Sequence, residues 1–419
     1  MKKKKQIDCF LPYSTVAMMQ SLTAQLYESG VVKNIYTLAA DVLPTEALPQ
    51  YTHHLQAGSL LSLATMRLIA TTATADYALF YLKQGPITLG YHALERMLQV
   101  AEETGAAMVY ADHYSVEAGK TVKHPVTAYQ LGSIRDDFDF GSVVLLKTEY
   151  LKEYAAREVA KDYQFAGWYD LRLFLSREGE LFHLNEYLYT EEEDDLRASG
   201  EKQFDYVNPR NREVQIEMEQ AATAHLSAIK ALVDTTQYVQ PDFSGEAFPV
   251  EASVVIPVFN REKTVRDAVV SALSQKTDFP FNVIVVDNHS TDGTTEILSS
   301  LAADERLVHL IPTRTDLGIG GCWNYAINDA HCGRFAVQLD SDDLYSSENT
   351  LQIIVDAFHE QKAAMIVGSY RMCDFDLNTL PPGLISHNEW TEDNGCNNAL
   401  RINGLGAPRA FFTPLVRQH

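Results

Sequence analysis

Residues 334–346 contain a strand pattern that ends abruptly in charged residues, and this stretch constrains the fold more than any other. The apolar run FAVQL is typical of a central strand, and the letters DSDD at residues 340–343 follow directly. In open α/β sheets, ligands bind beyond the carboxyl ends of the strands. Mg²⁺ and Mn²⁺ prefer oxygen ligands, and Mg²⁺ is usually shared between one or two carboxylates and phosphate groups. The stretch therefore predicts either a metal-diphosphate site or a solvent-exposed turn whose aspartate caps the next helix.

Length and charge limit the function classes. A chain of 419 residues with 46% apolar residues predicts two or three folded domains. Its formal net charge of −22 argues against nucleic acid and anionic membrane as main partners. We therefore expect no nucleic-acid partner, and an acidic protein of this kind needs a metal ion to bridge it to a phosphate ligand.

The N-terminal residues and the cysteines indicate the expected cellular location of the protein. The opening letters MKKKK predict a solvent-exposed tail, and no apolar stretch is long enough to span a membrane. The five cysteines lack paired short spacings, which predicts reduced, buried thiols. We expect a cytoplasmic protein whose membrane association is at most peripheral.

Strands and helices alternate through the first half, which predicts a mostly parallel sheet covered on both faces. The predicted strands are 7–13, 31–38, 76–82, 106–110, 138–147 and 181–190, and the predicted helices are 15–29, 60–70, 91–104 and 163–177. An acidic run at 191–195 is expected to be a solvated linker, followed by a helix at 212–235.

The pattern restarts at Ser253, so the predicted class is α/β, with two Rossmann-like domains joined by a helical linker. We place the first domain at 1–195, the linker with its long helix at 196–250, and the second domain at 251–419, expected to be incomplete at its C-terminus.

The two halves read as copies of one α/β domain. YALFYLKQG matches FAVQLDSDD, GAAMVY matches KAAMIV, and FDFGSVVLLKTEYL runs parallel to INGLGAPRAFFTPLV. Two unrelated βαβ pieces remain an alternative, because such pieces look alike. Where the second copy reads DSDD, the first reads LKQG at residues 82–85, and Lys and Gln cannot replace carboxylates around a divalent cation. We expect that the first copy has lost metal-dependent activity.

Two strand ends of the second copy carry candidate binding residues. Pro257 stops one strand and leaves backbone groups free, and Phe259 offers a ring for stacking. In VVDNHSTDG, Asp287 or Asn288 can accept from a base N–H or a ribose hydroxyl, while Ser290, Thr291 or Asp292 caps the next helix. The alternatives are an ordinary strand-to-helix turn and a purely capping role.

A third end contains glycines ahead of a helix. Gly318, Gly320 and Gly321 precede Asn324, and glycines allow a close backbone approach at a helix N-terminus, which favours phosphate. Glycine also marks ordinary turns, so this feature alone is weak. The DSDD turn is the fourth end, and the four in this order are far more specific than any one of them.

Residues 252–345 resemble the nucleotide-binding half of family 2 of the inverting glycosyltransferases, which have the GT-A fold. The motifs are VVIPVFN, SALSQ, VIVVDNHSTDGT and LDSDD. The first half resembles the same fold more loosely, which implies tandem GT-A-like domains with a degenerate first copy and a C-terminally short second copy. The resemblance implies transfer of a sugar from a nucleotide-activated donor to a hydroxyl of a glycan or lipid-linked acceptor, in glycan or polysaccharide synthesis.

The resemblance also implies site residues. Asp340 and Asp342 would hold Mn²⁺ or Mg²⁺ against the diphosphate. Many relatives carry an aspartate where Asn288 stands, and an amide carbonyl can still accept from uracil or thymine N3–H, so UDP- or dTDP-sugars are expected. The expected nucleotide-sugar-binding residues are Pro257, Phe259, Asn260, Asp287, Asn288, Gly320, Gly321, Asn324, Asp340 and Ser341.

Relatives of this kind use a late carboxylate, often in a Glu-Asp pair, as general base. We expect that the base lies beyond His419 in a longer enzyme, while Asp393, Glu392 or a partner chain are the alternatives. In the first copy, Asp170 is the nearest acid and is expected to lie on a helix surface.

Three other functions compete with this interpretation. A nucleotidyltransferase would open with a glycine-rich loop where this chain has PVFNREK, and a nicotinamide enzyme needs G-x-G-x-x-G after its first strand. The stronger alternative is a non-catalytic sugar-nucleotide-binding or scaffolding protein.

Overall fold

The protein is described by a computed structural model that covers residues 5–40, 52–59, 61–117, 119–158, 161–192, 212–388, 390–402, 405–406 and 408–418. Strands and helices alternate through most of the described chain. Up to residue 228 they are β1 (Ile7–Pro12), α1 (Val16–Glu28), β2 (Val32–Ala39), β3 (Thr52–Gln56), α2 (Leu63–Thr72), β4 (Tyr77–Tyr81), β5 (Ile87–Leu89), α3 (Ala93–Thr104), β6 (Met108–Glu117), β7 (Lys120–His124), β8 (Val143–Lys147), α4 (Thr148–Ala156), α5 (Gly167–Glu178), β9 (Leu181–Glu192) and α6 (Arg212–Ala228).

The later elements follow a short 3-10 helix at Thr235–Gln237. They are β10 (Ala252–Val258), α7 (Val265–Leu273), β11 (Phe281–Asp287), α8 (Thr294–Leu301), β12 (Leu307–Leu310), α9 (Gly318–Asn328), β13 (Phe335–Gln338), α10 (Thr350–Gln361), β14 (Met365–Val367), β15 (Tyr370–Cys373), β16 (Thr379–Ile385), α11 (Asn398–Arg401), β17 (Arg409–Phe412) and α12 (Thr413–Val416). Among the described residues, no helix is both long and apolar enough to cross a membrane.

The chain divides into two compact units. Unit 1 comprises Met1–Val233 and Asn388–Asn403, and unit 2 comprises Asp234–His387 and Gly404–His419. Helix α6 was predicted to lie in a linker, but Ala221, Ala222 and Leu226 of α6 are buried in a core of unit 1. The segment 388–403, which the sequence placed in the second domain, also belongs to unit 1.

Unit 1 is built on a sheet with the order β3-β2-β1-β4-β8-β6-β9-β5, and β7 pairs with β6. Strands β1 to β4 run parallel in this sheet, and β8 is antiparallel to both of its neighbours. Side chains of β1 alternate between two cores, with Phe10 in one and Cys9 and Leu11 in the other. The apolar run IDCFLP is therefore buried on both faces, as expected for a central parallel strand.

Unit 2 is built on a sheet with the order β12-β11-β10-β13-β17-β14, and β15 and β16 form a separate pair. The first four strands are parallel, and β17 is antiparallel to both of its neighbours. Val254 and Ile256 of β10 are buried in one core, while Val255 is buried in the other. The predicted α/β class with mostly parallel sheets is confirmed.

Six strands of the unit 1 sheet, β3-β2-β1-β4-β8-β6, correspond in order to the six strands of the unit 2 sheet, and unit 1 has β9, β5 and β7 in addition. In both sheets, four parallel strands are followed by a strand that is antiparallel to its two neighbours. Met108 of β6 pairs with Leu146 of β8, and Met365 of β14 pairs with Phe411 of β17, so the AAM letters of both halves occupy the same sheet position. The origin of the units as tandem copies stays a prediction.

Helix α6 ends earlier than the predicted residue 235. The Lys230 N–H donates to the Ser227 carbonyl and the Ala231 N–H to the Leu226 carbonyl, and Lys230 has a φ of 61°. These bonds form a Schellman motif, which usually has glycine in the left-handed position. Position 230 holds lysine, not glycine, so nothing in the sequence indicated that the helix ends there and the predicted helix was too long.

Three further expectations were wrong in detail. Glu191, assigned to a solvated acidic run, is a buried residue of β9, whereas Glu192 at the end of β9 is exposed and residues 193–195 lie outside the described residues. Asp170, expected on a helix surface, is buried and accepts from Tyr154 Oη at 2.9 Å and from Arg157. Cys373 and Cys396 are exposed, not buried.

Candidate functional site

The carboxyl ends of three neighbouring parallel strands form the candidate site in unit 2. In the sheet, β10 lies between β11 and β13. Val258 pairs with Asp287, and Gln338 pairs with Val255. Because the strands are parallel and in this register, the residues that follow Val258, Asp287 and Gln338 emerge at one edge of the sheet.

Asp287 is fully buried and both of its carboxylate oxygens are engaged. The Ser290 N–H donates to Oδ1 at 2.9 Å, and Thr295 Oγ1 donates to Oδ2 at 2.6 Å. Burial alone would raise the pKa of Asp287, but the hydrogen bonds from Thr295 and Ser290 hold it below its ordinary value. The carboxylate is therefore ionised and orders the turn after β11, and its contact with a base or ribose stays a prediction.

Asn288 offers an acceptor that the chain does not use. Its N–H donates to the Val258 carbonyl at 2.9 Å, which ties the ends of β10 and β11 together. Its side-chain Oδ1 is buried and has no hydrogen-bond partner within the described chain. A buried carbonyl without a donor is unfavourable, so this atom is suited to accept from a ligand N–H.

Asn260 joins the two loops that follow β10 and β11. Its φ is 53°, its N–H donates to Ser290 Oγ at 3.0 Å, and its Oδ1 accepts from the Thr291 N–H at 2.7 Å. The polar atoms of Asn260 therefore hold the two loops together at this edge of the sheet. Beside it, Pro257 is half-buried and the Phe259 side chain is 53% exposed, which leaves its ring available for stacking.

None of the three capping candidates is the N-cap of α8, which is Gly293, but Asp292 just before it binds two backbone N–H groups. Its Oδ1 accepts from the Thr294 N–H at 3.0 Å and its Oδ2 from the Glu262 N–H at 3.1 Å. Glu262 Oε2 in turn accepts from the Gly293 N–H at 3.1 Å. The two loops are thus fixed to each other before any ligand binds.

Three carboxylates follow β13. Asp340 is half-buried and its Oδ1 accepts from Gln338 Nε2 at 2.8 Å. Asp342 is exposed, and its Oδ2 lies 3.6 Å from Arg261 Nε. Ser341 between them is buried. Desolvation and the nearby charges of Asp340 and Asp342 raise the pKa of Asp343 to about 6.

This donor set fits a hard divalent cation that is shared with a ligand. No group of three or more His, Cys, Asp or Glu side chains arranged for a metal occurs in the part of the chain that the structure describes. Asp340 and Asp342 nevertheless concentrate negative charge at one turn. Mg²⁺ and Mn²⁺ bind through one or two carboxylates when phosphates complete their shell, so the pair matches a metal bound together with a diphosphate.

The glycine-rich stretch forms the first turns of α9, which packs against β10 and β11. Gly318 has a φ of 58°, a conformation that favours glycine. A Cβ at Gly320 would meet no atom within 4 Å, whereas one at Gly321 would lie 2.7 Å from Leu317 Cβ. Asn324 is exposed and accepts from Asn328 Nδ2 at 2.8 Å. Contact of these residues with a phosphate stays a prediction.

Sequence reasoning missed three polar residues around the carboxylates, namely Arg261, Gln338 and Arg409. Arg261 follows the PVFN letters, and its basic character in so acidic a chain was a usable signal. Gln338 interrupts the apolar strand FAVQL and accepts from Arg409 Nε at 2.8 Å. No local pattern links these two residues, which are distant in sequence.

In unit 1, a side-chain cation occupies the position that corresponds to the DSDD turn. Lys83 forms an ion pair with the buried Glu191, whose carboxylate also lies 3.2 Å from His113 Nε2. Burial alone would raise the pKa of Glu191, but hydrogen bonds from His113, Lys83 and Ser142 lower it to about 2. The expected loss of metal-dependent activity in this copy stays a prediction.

Asp393, the candidate base, belongs to unit 1. Its Oδ2 lies 3.5 Å from Arg212 Nη2, and its side chain is largely exposed. It is not one of the residues that the structure brings together at the edge of the unit 2 sheet.

A comparison with family models finds a match in the second half of the chain. Residues 253–412 match the model of glycosyl transferase family 2. We call this matched stretch, which is similar to glycosyl transferase family 2, the family 2 region. The family 2 region contains all three strand ends described above, and the resemblance seen in the sequence motifs is confirmed for it.

Three curated proteins similar to the family 2 region come from bacteria. An uncharacterized glycosyltransferase of Haemophilus influenzae is 27% identical over 128 residues, which is 30% of this chain and 50% of that protein. TuaG of Bacillus subtilis, named as a glycosyltransferase of teichuronic acid biosynthesis, is 27% identical over 35% of this chain and 58% of its own length. The O-antigen chain rhamnosyltransferase WbaN of Salmonella anatum is 25% identical over 33% and 43%. The chain thus spans about half the length of these relatives.

Solved structures similar to the chain include TarS of S. aureus. It is 25% identical to this chain, and the match covers 40% of this chain and 48% of the TarS chain, with a TM-score of 0.33. TarS has also been solved in complex with UDP-GlcNAc. The mannosyltransferase PcManGT of Pyrobaculum calidifontis, solved with GDP-Man and Mn²⁺, is 18% identical with a TM-score of 0.30.

Proposed function

We propose that the chain transfers a sugar from a nucleoside diphosphate donor to a hydroxyl group of a glycan or lipid-linked acceptor. The observation that carries the proposal is the shared sheet edge, where the unpartnered Asn288 Oδ1 and the carboxylates of Asp340 and Asp342 follow neighbouring strands of a family 2 region. The names of TuaG and WbaN support a role in bacterial polysaccharide synthesis.

The base of the donor lies at the ends of β10 and β11. Phe259 stacks on it, Pro257 borders it, and Asn288 Oδ1 accepts from its N–H group. Uracil and thymine carry an N3–H donor that suits this acceptor, so UDP- and dTDP-sugars are the proposed donors. Asp287 keeps the turn after β11 in place through its hydrogen bonds with Ser290 and Thr295.

The diphosphate lies over the DSDD turn. Asp340 and Asp342 hold Mn²⁺ or Mg²⁺, which when bound stabilises the negative charge that builds up on the departing nucleoside diphosphate. Ser341 between them, together with Gly320, Gly321 and Asn324 at the start of α9, borders the phosphates. Arg261, 3.6 Å from Asp342, adds a positive charge on the same side.

Direct displacement by the acceptor hydroxyl inverts the configuration of the sugar and needs a base for the hydroxyl proton. We place the reaction in the cytoplasm, with membrane association that is at most peripheral and with no nucleic-acid partner, in line with the acidic composition.

Donor turnover with UDP- and dTDP-sugars in the presence of Mn²⁺ tests the proposal. We expect hydrolysis or transfer that EDTA abolishes and that Asp342→Ala lowers at least about a hundredfold, since the variant loses stabilisation of the leaving-group charge. Asp356→Ala, which removes an exposed carboxylate on α10, is the matched control and should retain activity. Metal-dependent binding without turnover would favour a sugar-nucleotide-binding scaffold, and the absence of metal-dependent binding would refute the proposal.

A further inference from the structure

Gln338 uses both ends of its side-chain amide inside the sheet of unit 2. The residue is only 3% exposed. Its Nε2 donates to Asp340 Oδ1 at 2.8 Å, and its Oε1 accepts from Arg409 Nε at 2.8 Å. The amide therefore connects a basic residue of β17 with the first carboxylate of the DSDD turn.

The chemistry of the two partners determines how the amide is oriented. A guanidinium can only donate and an ionised carboxylate can only accept. The amide oxygen must therefore face Arg409 and the amide nitrogen must face Asp340. This hydrogen bond restricts the rotation of the Asp340 carboxylate, and Oδ2 remains for another partner.

The same sheet position in unit 1 gives an internal control. The residues that occupy the positions of Gln338 and Arg409 there are Phe80 of β4 and Val144 of β8, which face each other across the strands. Both are buried and apolar. The sheet architecture thus forms without a polar pair at this position, and the polar pair occurs in the unit that carries the carboxylates.

We propose that Gln338 and Arg409 are positioning residues that orient Asp340 for its divalent cation. The proposal rests on the proposed function, because it takes Asp340 as a metal ligand. Hydrogen bonds to a ligating carboxylate fix its direction before the cation arrives, and loss of such a partner commonly lowers metal affinity by about 10- to 100-fold. Gln338 supplies that hydrogen bond, and Arg409 keeps Gln338 in the orientation that allows it.

The test compares Gln338→Leu with the unchanged chain in Mn²⁺ titrations followed by electron paramagnetic resonance, with UDP present and no acceptor. Leucine keeps the approximate shape of glutamine but cannot donate or accept. We expect the Mn²⁺ dissociation constant to rise at least about tenfold, while UDP binding in EDTA and the melting temperature stay close to those of the unchanged chain.

Two further variants separate positioning from general packing. Ser253→Ala removes another buried side-chain hydrogen bond of the same sheet, from Ser253 Oγ to Asn282 Oδ1 at the amino-terminal end of β10, and should leave Mn²⁺ binding unchanged. Arg409→Lys keeps a cationic donor for Gln338 and should retain most of the affinity, whereas Arg409→Met should lose it. A folded Gln338→Leu chain that binds Mn²⁺ as tightly as the unchanged chain would overturn the positioning role alone. Failure of the unchanged chain to bind Mn²⁺ with UDP would overturn both this role and the proposed function.

Discussion

Arg401 and Glu219 form a buried ion pair between residues 182 positions apart in the chain, with 3.2 Å between Arg401 Nε and Glu219 Oε2. Arg401 is 1% exposed, and its Nη1 also donates to Asp136 Oδ2 at 2.6 Å. Glu219 lies on α6, and its Oε1 accepts from the N–H and the side chain of Asn397. These bonds attach the segment 388–403 to the body of unit 1.

Replacing Arg401 with methionine should destabilise unit 1. The carboxylates of Glu219 and Asp136 would lose their cation while Glu219 stays buried, and breaking a buried pair in this way typically costs about 3–5 kcal/mol. We expect a lower free energy of unfolding in urea and faster amide hydrogen exchange in the segment 388–403. Arg135→Met is the control, because Arg135 pairs with Asp137 on the exposed surface of the same unit and should change stability little. Equal exchange in both variants would contradict the anchoring role of Arg401.

His225 should make unit 1 less stable in mild acid. Its ring is buried and its Nδ1 accepts from Arg177 Nη1 at 2.9 Å, and burial together with the Arg177 charge lowers the pKa of His225 to about 4. Because the folded-state pKa lies below the ordinary value of 6.5, the stabilisation is complete above pH 6.5 and is lost as the pH falls towards 4.

The expected size of the His225 effect is about 2 kcal/mol between pH 6.5 and pH 4.5. His225→Gln keeps a neutral acceptor for Arg177 and should remove this part of the pH dependence. Urea unfolding of both chains at several pH values measures the difference. Parallel pH profiles for the two chains would show that His225 does not titrate in this way.

Glu191 should contribute to the pH dependence of unit 1 stability in a lower pH range than His225. The pKa of Glu191 in the folded chain is about 2, below its ordinary value of 4.5, so its stabilisation is complete above pH 4.5 and is lost as the pH falls towards 2. We expect Glu191→Gln to be less stable than the unchanged chain by about 3 kcal/mol at pH 7. The gap should narrow below pH 4.5, which unfolding by urea at pH 7 and pH 3 would reveal. A gap that is constant with pH would point to packing instead of charge.

The sequence predicts most of what local patterns encode in this chain. The apolar runs of β10, β11 and β13, their order and the letters at their ends are sufficient to place Asn288 and Asp340 at one edge. The end of α6 escaped prediction because Lys230 adopts a conformation that the sequence signals only through glycine or asparagine.

Contacts between residues that are distant in the sequence could not be predicted from it, for a different reason. The pairs Arg401–Glu219 and Gln338–Arg409 join polar residues with no shared period or motif, so nothing in the letters marks them as partners. The assignment of the segment 388–403 to unit 1 follows from the first pair. The orientation of Asp340 follows from the second, which is why the positioning residues appeared only with the structure.

Asn288 should set the affinity of the donor base. Removal of its carbonyl in Asn288→Ala takes away the acceptor proposed for the uracil N3–H, and one such hydrogen bond is worth about 1 kcal/mol or slightly more, close to a tenfold change in affinity. We expect the UDP dissociation constant, measured by calorimetry with Mn²⁺ present, to rise about tenfold. The Mn²⁺ dependence itself should persist, because Asp340 and Asp342 are unchanged. Asn378→Ala removes an exposed amide beside Asp374, between β15 and β16, as a control and should bind UDP normally. If Asn288→Ala also binds UDP normally, the base must be recognised elsewhere on the edge.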